Sequence, residues 1–551
     1  MKKPVNALLV HPKFNANSFW NYSVACEIVD AKYPASPLGL ITVAAMLPAH
    51  WTPRLVDRNC ETLTDEDIDW ADIVMIGSML PQQLDALQTV KLAQSRGKKV
   101  VMGGPDPTSS PDCYDIADFL VMGEVEEIMD DFIEAFERGD ESGRFKAELF
   151  KIDVTKTPMP RFDLLKMENY LHIGVQYSRG CPFTCEFCDI IELYGRRPRM
   201  KTNEQMLSEL QALYDSGYRG HVDFVDDNLI GNKKAVKLFL PELIRWQKER
   251  NFPFEFSTEA SINLSDDRKL LDLMSEAAFF VVFVGIESSD EETLAAARKK
   301  QNTRRSIPDS IDDIYRAGIS VVAGFIIGFD TEKGSVYGPT TQLIHDTKIA
   351  VSMAGLLYAL NNTQLSRRLS EEQRLYSESH VMLEDATEAG VGDQCTAGLN
   401  FDTLRPRRDI LQDYRDIIET IYAQDAFVDR VKRMAETLEY NHPHRMNWGV
   451  MKKDAVQFSK LAWRVTTQHP EMRGSFWSMI WYFLRKQPRS LKMVVLFMTL
   501  YVHLGTFSRY VVKEIDRQIA VLDRNAALGD DALSDRELMH GHFDGALDAA
   551  Q

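Results

Sequence analysis

Tyr177-Ser178-Arg179-Gly180-Cys181-Pro182-Phe183-Thr184-Cys185-Glu186-Phe187-Cys188-Asp189 is the stretch on which the reading of this chain turns. Its cysteines have the spacing C-x3-C-x2-C, and no fourth cysteine lies near them in sequence. A cubane iron–sulfur cluster has four irons, each normally held by a thiolate. Three close thiolates therefore predict a four-iron cluster with one iron open to a small molecule. Zinc fits less well, because structural zinc sites close with four ligands. Cys26, Cys60, Cys113 and Cys395 are scattered and read as buried, inert thiols. Seven cysteines in 551 residues are not a disulfide framework, and cluster thiolates need a reducing compartment.

The formal net charge is −17, which argues against a nucleic-acid substrate, because phosphate backbones demand a basic footprint. Lys2 and Lys3 precede only a short apolar run, Ala7 to Val10, too short for a signal-peptide core. The expected location is the cytoplasm.

Outward from the cysteines, short apolar runs alternate with helix-length segments. Before them, strands are predicted at Val5–Val10, Pro53–Asp57, Ile73–Gly77, Lys99–Gly103 and Phe119–Gly123, with helices at Pro37–Leu47, Gln82–Arg96 and Glu126–Glu137. Such alternation predicts an α/β fold with a doubly wound parallel sheet over residues 1–137. Residues 138–171 are polar and broken by glycine and proline, and read as a linker. Over residues 172–360, strands are predicted at Ile173–Tyr177, His221–Val225, Phe254–Thr258, Phe280–Val284, Ser320–Ile327 and Ala350–Ala359. About six βα units suggest a partial (β/α) barrel working at the carboxyl edge of its strands, where the cysteine loop follows the first one. Residues 361–525 read as a helical C-terminal domain, and 526–551 as a disordered tail.

The cysteine loop resembles the radical SAM superfamily, in which S-adenosylmethionine chelates the open iron. Phe187, just before the third cysteine, is part of that pattern. The resemblance implies a 4Fe-4S cluster on Cys181, Cys185 and Cys188. Asp226 and Asp227 stand where the family binds the amino group of S-adenosylmethionine, and Glu259 near the ribose. Glu287 is a second such candidate, and Gly324 and Gly328 belong to the strand beside the adenine. Taken singly, these residues have plainer readings as helix caps and strand bulges.

The N-terminal sheet resembles the cobalamin-binding domain often fused to radical SAM barrels, on Ser36-Pro37-Leu38-Gly39-Leu40, Val101–Thr108 and Val121-Met122-Gly123-Glu124. It implies cobalamin against Ser78, Gly103, Gly104, Gly123 and Glu124. The Asp-x-His-x-x-Gly motif is absent, and His11 lacks that context. Binding without a lower-face histidine is implied, with Ser78–Gln83 covering that face. A domain of this type that has lost cobalamin is an alternative.

Cys188–Arg199, Asp226–Asn232 and Asn362–Leu369 are similar to a cobalamin-type radical SAM subgroup with an added C-terminal domain of unknown function. The resemblance implies a C-methyltransferase acting on an unactivated carbon, with a deoxyadenosyl radical abstracting hydrogen and cobalamin delivering the methyl group. It also implies an electron donor such as flavodoxin or ferredoxin. A radical cyclase or rearrangement enzyme, and a cofactor-binding sensor without catalysis, stay open. Last, Phe476–Leu484 and Met493–Leu504 are apolar and flanked by Arg485, Lys486, Arg489, Lys492 and Arg509. They read either as buried core helices or as a hairpin lying on a membrane. The second option predicts a small hydrophobic, lipid-like substrate and peripheral contact at the inner face of the membrane.

Overall fold

In the computed structural model of the protein, which describes residues 3–15, 18–376, 395–441 and 448–528, the apolar runs pair into two parallel sheets. The strands in chain order are β1 Val5–His11, β2 Tyr33–Ala35, β3 Trp51–Asp57, β4 Ile73–Gly77, β5 Lys99–Gly103, β6 Phe119–Met122, β7 Gly143–Lys146 and β8 Tyr170–Val175. They continue with β9 Ser178–Arg179, β10 Arg199–Met200, β11 Gly220–Phe224, β12 Phe254–Glu259, β13 Phe279–Glu287, β14 Ser320–Ile327 and β15 Ser352–Leu356. The first sheet has six strands in the order β3-β1-β4-β5-β6-β7. Helices on both faces explain why β1, β4 and β6 are nearly continuous apolar runs.

The second sheet has seven strands in the order β15-β14-β13-β12-β11-β8-β2 and curls into a half-barrel. Its strands alternate. In β12, Phe254, Phe256 and Thr258 are buried, while Glu255, Ser257 and Glu259 are more open and line the concave side. Phe224, Phe254 and Phe256 are fully buried, each burial being worth about 1.5–3 kcal/mol.

Two short strands depart from the sequence expectations. β7 lies inside the expected linker and adds an edge to the first sheet, pairing Phe119 with Gly143. β2 lies inside the expected first domain, yet pairs with β8 through Tyr33 to Tyr170 and Ala35 to His172. Residues 1–137 are therefore not one self-contained unit. Strands of three or four residues carry no readable alternation, and only the partner strand specifies them.

The C-terminal region is helical as expected, with helices Gln364–Glu371, Arg407–Ile421, Gln424–Thr437, Trp448–Gln468, Pro470–Lys486 and Leu491–Leu528. The last helix runs past the expected start of the tail at 526, and residues 529–551 lie outside the described residues. Phe476, Met479, Ile480 and Phe483 are buried, as are Met493, Phe497, Met498 and Leu504, so the apolar segments are mostly core. One helix among the described residues, Pro488–Arg524, is long and apolar enough to cross a membrane, but 67% of its apolar window is buried in the fold.

Candidate active site

The cysteine loop leaves the carboxyl end of β8 and is closed at its base by β9 pairing antiparallel with β10. Gly180 sits at φ 94, and a Cβ there would lie 2.8 Å from the Gly195 carbonyl oxygen, so the loop crosses itself where only glycine fits. The Cys181 amide donates to that same oxygen at 3.2 Å.

Asp226 sets the loop's direction. Its buried carboxylate accepts from the Tyr177 amide at 2.9 Å and from the Ser178 amide and hydroxyl at 2.5 Å each. Asp227 accepts from the Gly180 amide at 3.1 Å. Both were expected to meet the amino group of S-adenosylmethionine. Asp226 instead spends its oxygens on the loop, and Asp227 is partly committed to it. Burial pushes Asp226 up to about 6 and Asp227 up to about 7.

The thiols have polar company that fits an anionic cluster. Asn228 Nδ2 points at Cys181 Sγ at 3.7 Å, and Gln301 Nε2 at Cys185 Sγ at 3.9 Å. Lys299 Nζ pairs with Glu287 Oε1 at 2.6 Å, stands 5.9 Å from the Phe187 ring centroid, and is attracted by Cys185 and Cys188. N–H donors and a cation beside the sulfurs stabilise charge on iron–sulfur ligands. Burial raises the Cys181 and Cys188 thiols, so a metal is needed to hold them as thiolates. The other cysteines sit apart: Cys26 in the helix Ser23–Ile28, Cys60 beside Asp57, Cys113 in the turn Pro111–Tyr114, and Cys395 against the Ala354 carbonyl.

Lys299, Asn228 and Gln301 were missed in the sequence, where each is an ordinary polar residue. Glu287 was named for the ribose, but here it holds Lys299 from a left-handed φ of 69 at a register shift of β13. Gly324 borders it, a Cβ there lying 3.9 Å from Glu287 Oε2. Gly328 is turned away from this group. Its amide donates to Glu332 at 3.0 Å, and a Cβ on it would meet Leu399 at 2.6 Å. Glu259 faces the cavity described next. Its side chain is open to the cavity but enclosed by the surrounding protein, and that desolvation, with the charges of Asp227 and Asp223, pushes it up to about 8.

Between the two sheets lies a cavity of about 1950 Å³. Single small-molecule pockets are roughly 300–1,000 Å³, so this one has room for more than one ligand. Its floor is the carboxyl edge of the first sheet, with Ser78, Gly103, Gly104 and Gly123. Gly104 is at φ 105, where a Cβ would lie 2.7 Å from the Ser78 carbonyl oxygen, so neighbouring turns lie flat against each other. Met79, Leu80 and Gln82 also line the floor, and His11, kept neutral by burial, lies beside Gln82. An open floor of turn backbone fits a broad planar group such as a corrin. Glu124 lines this end of the cavity beside Gly123, but its carboxylate is committed to two arginines. Its two oxygens bind Arg179 at 3.1 Å and Arg199 at 2.8 Å, which ties the first sheet to the cluster loop.

A half-barrel with a three-cysteine loop at its carboxyl edge, facing a glycine-turned parallel sheet across one cavity, defines a radical SAM enzyme with a cobalamin domain. The sequence matches the B12 binding domain over residues 27–133, the Radical SAM superfamily over 175–335, and the domain of unknown function DUF4070 over 363–517. It is 42% identical over 519 residues to an uncharacterized methyltransferase of Synechocystis sp., covering 93% of each chain. It is 33% identical to the hopanoid C-2 methylase of Rhodopseudomonas palustris, covering 91% of this chain and 93% of that one. Among solved structures, the cobalamin-dependent S-adenosylmethionine radical enzyme OxsB superposes with a TM-score of 0.57 at 15% identity, covering 98% of this chain and 83% of that one. The chain belongs to the cobalamin-dependent radical SAM methyltransferases that carry the DUF4070 region.

Proposed function

We propose that this enzyme methylates an unactivated carbon of a large, mostly apolar molecule that carries a hydroxyl group. When bound, the cluster with S-adenosylmethionine supplies the hydrogen-abstracting chemistry, and cobalamin supplies the methyl group. The concave face of the half-barrel supports the substrate class. One half, from β13 to β15, offers Val281, Phe283, Val322 and Met353, and the last helix adds Met493, Leu496, Phe497 and Leu500. The other half is polar, with His172, His221, Asp223 and Ser257 on β8, β11 and β12.

The hydrogen bonds of that polar half have a direction. The Ser257 hydroxyl donates its single proton to Asp223 Oδ1. The contact of 2.6 Å between Ser257 Oγ and His221 Nε2 must then be donated by the histidine. Burial holds His221 well below its ordinary pKa, so the ring is neutral and Nδ1 is a bare acceptor. An acceptor in an apolar chamber selects a hydroxyl donor, and leaving it unpaired costs about 1–3 kcal/mol. His221 is level with Glu255, and Glu259 lies four residues further along β12. At about 3.3 Å per residue, the hydroxyl end sits roughly 13 Å below Glu259 along the barrel.

The test is anaerobic turnover with cell lipid extract, read by mass spectrometry. A product heavier by one CH2, formed from an alcohol, is expected. A product that loses hydrogen without gaining CH2 would support the cyclase reading instead. Acceptance of only charged, water-soluble compounds would overturn the substrate class.

The substrate is further proposed to be met at a membrane surface. Trp463 at 62% exposure, Trp481 at 56% and Leu484 at 45% face solvent on neighbouring helices, and Arg473, Arg485, Lys486 and Arg489 stand exposed on the same hairpin. In a protein of net charge −17, a local basic rim beside exposed tryptophans suits anionic lipid.

A further inference from the structure

The cluster loop also has an outward face. Thr184, next to Cys185, lines one shallow groove, and Pro182 and Phe183, next to Cys181, line another. Around the first groove stand Arg196, Arg298, Lys300 and Arg367, and around the second Arg197 and Lys233. Glu192 is the one carboxylate among these lining residues, and it is paired with Arg367 at 2.8 Å. Arg196, Arg197, Arg298 and Lys300 are exposed, and none of them pairs with a carboxylate among the described residues. Phe150, exposed in the first groove, adds an apolar surface beside the cations.

This patch runs against the protein's net charge of −17, which would repel an acidic partner from most other faces. On the inner side of the loop, Asp189, next to Cys188, lines the cavity. An electron delivered through the cavity would have to cross the ligand space, whereas the outward grooves reach Pro182 and Thr184, the residues beside Cys181 and Cys185. We propose that the basic face over residues 182–184 docks an acidic one-electron carrier protein of the flavodoxin or ferredoxin class. One electron leaves the carrier's prosthetic group, oxidising it by one unit, and enters the cluster, reducing it by one unit. No bond is made or broken on docking. Clustered arginines beside an aromatic surface match the composition of docking sites, and opposite charges raise the association rate.

The test uses full-length, cluster-reconstituted protein and reduced flavodoxin, with anaerobic stopped-flow following the bleaching of the cluster. Flavodoxin should reduce the wild-type cluster at a rate that falls steeply from about 0.05 to about 0.5 M salt, as the screening length shortens. In the variant combining Arg196→Glu, Arg197→Glu, Arg298→Glu and Lys300→Glu, that rate should fall at least about tenfold, while reduction by dithionite is unchanged. The four Gln substitutions should give an intermediate rate, and they decide the matter if the Glu variant loses its cluster. A charge-reversed protein reduced as fast as wild type would overturn the docking face. So would a wild-type protein that dithionite reduces but flavodoxin does not. No substrate is present, so the docking face and the substrate class fail separately.

Discussion

Arg179, two residues before the first cluster cysteine, reaches across the cavity edge to Glu124 at the end of β6, with Nη1 and Oε1 3.1 Å apart. Its other amino group binds Glu126 Oε1 at 2.7 Å, and Arg199 completes the group from β10. The strand end that shapes the cobalamin floor and the loop that would hold the cluster are thus joined by buried charge. Their separation is fixed by side chains rather than by a linker.

Removing one partner of a buried pair leaves the other uncompensated and costs about 3–5 kcal/mol. Glu124→Ala should therefore lower the urea midpoint of the protein clearly, while Arg138→Ala, whose Asp140 pair is at the surface, should shift it by under about 1 kcal/mol. Equal midpoints for the two variants would show that the buried group does not hold the halves together.

Anaerobically reconstituted protein should carry one four-iron cluster. Cys185→Ala should abolish both its visible absorbance and the release of 5′-deoxyadenosine. Gln301→Leu removes an N–H donor aimed at Cys185 Sγ and should shift the cluster to a more negative potential while keeping its iron. An unshifted potential would mean that the contact is incidental.

Hydroxocobalamin should bind, and His11→Ala should leave its visible spectrum unchanged, because the lower-face floor is built from Met79, Leu80 and Gln82. A strong spectral change in that variant would make His11 an axial ligand.

Glu259 gives a pH signature in the cofactor-free protein. Burial, then repulsion from Asp227 and Asp223, moves it from 4.5 up to about 8. Between these values the unfolded chain has released a proton that the folded protein still holds, so stability falls as pH rises through the window. Glu259→Gln should therefore melt higher than wild type at pH 8, with the difference vanishing toward pH 4.5. A difference that stays constant with pH would assign the effect to packing.

Full-length protein should float with anionic liposomes at low salt, and a variant with Trp463→Ser, Trp481→Ser and Leu484→Ser should float less. Phe497 is buried against the cavity, and Trp477 is half-buried and donates to Thr466 at 3.1 Å, so neither belongs in that test. Wild-type protein that stays at the bottom would sink the membrane reading.

Much of the architecture was legible in the chain itself. The strands Ile73–Gly77, Lys99–Gly103 and Ser320–Ile327 were found to the residue, because a buried parallel strand is an apolar run bounded by turn residues. The cysteine loop needed only spacing. Both signals are local, carried by residues within a few positions of one another. Tertiary structure alone decided the rest. Tyr33–Ala35 joins the half-barrel because Tyr170 lies opposite it, 137 positions away. Asp226 holds the loop, Glu124 joins the sheets, and Lys299 stands by the cluster because their partners arrive from other strands. His221 and Ser257 read as unremarkable strand residues until parallel pairing brings them within 2.6 Å. A sequence fixes which side chains exist and which backbone they favour. Which buried charge meets which depends on packing between segments distant in the chain, and that packing decided the cavity in which this enzyme works.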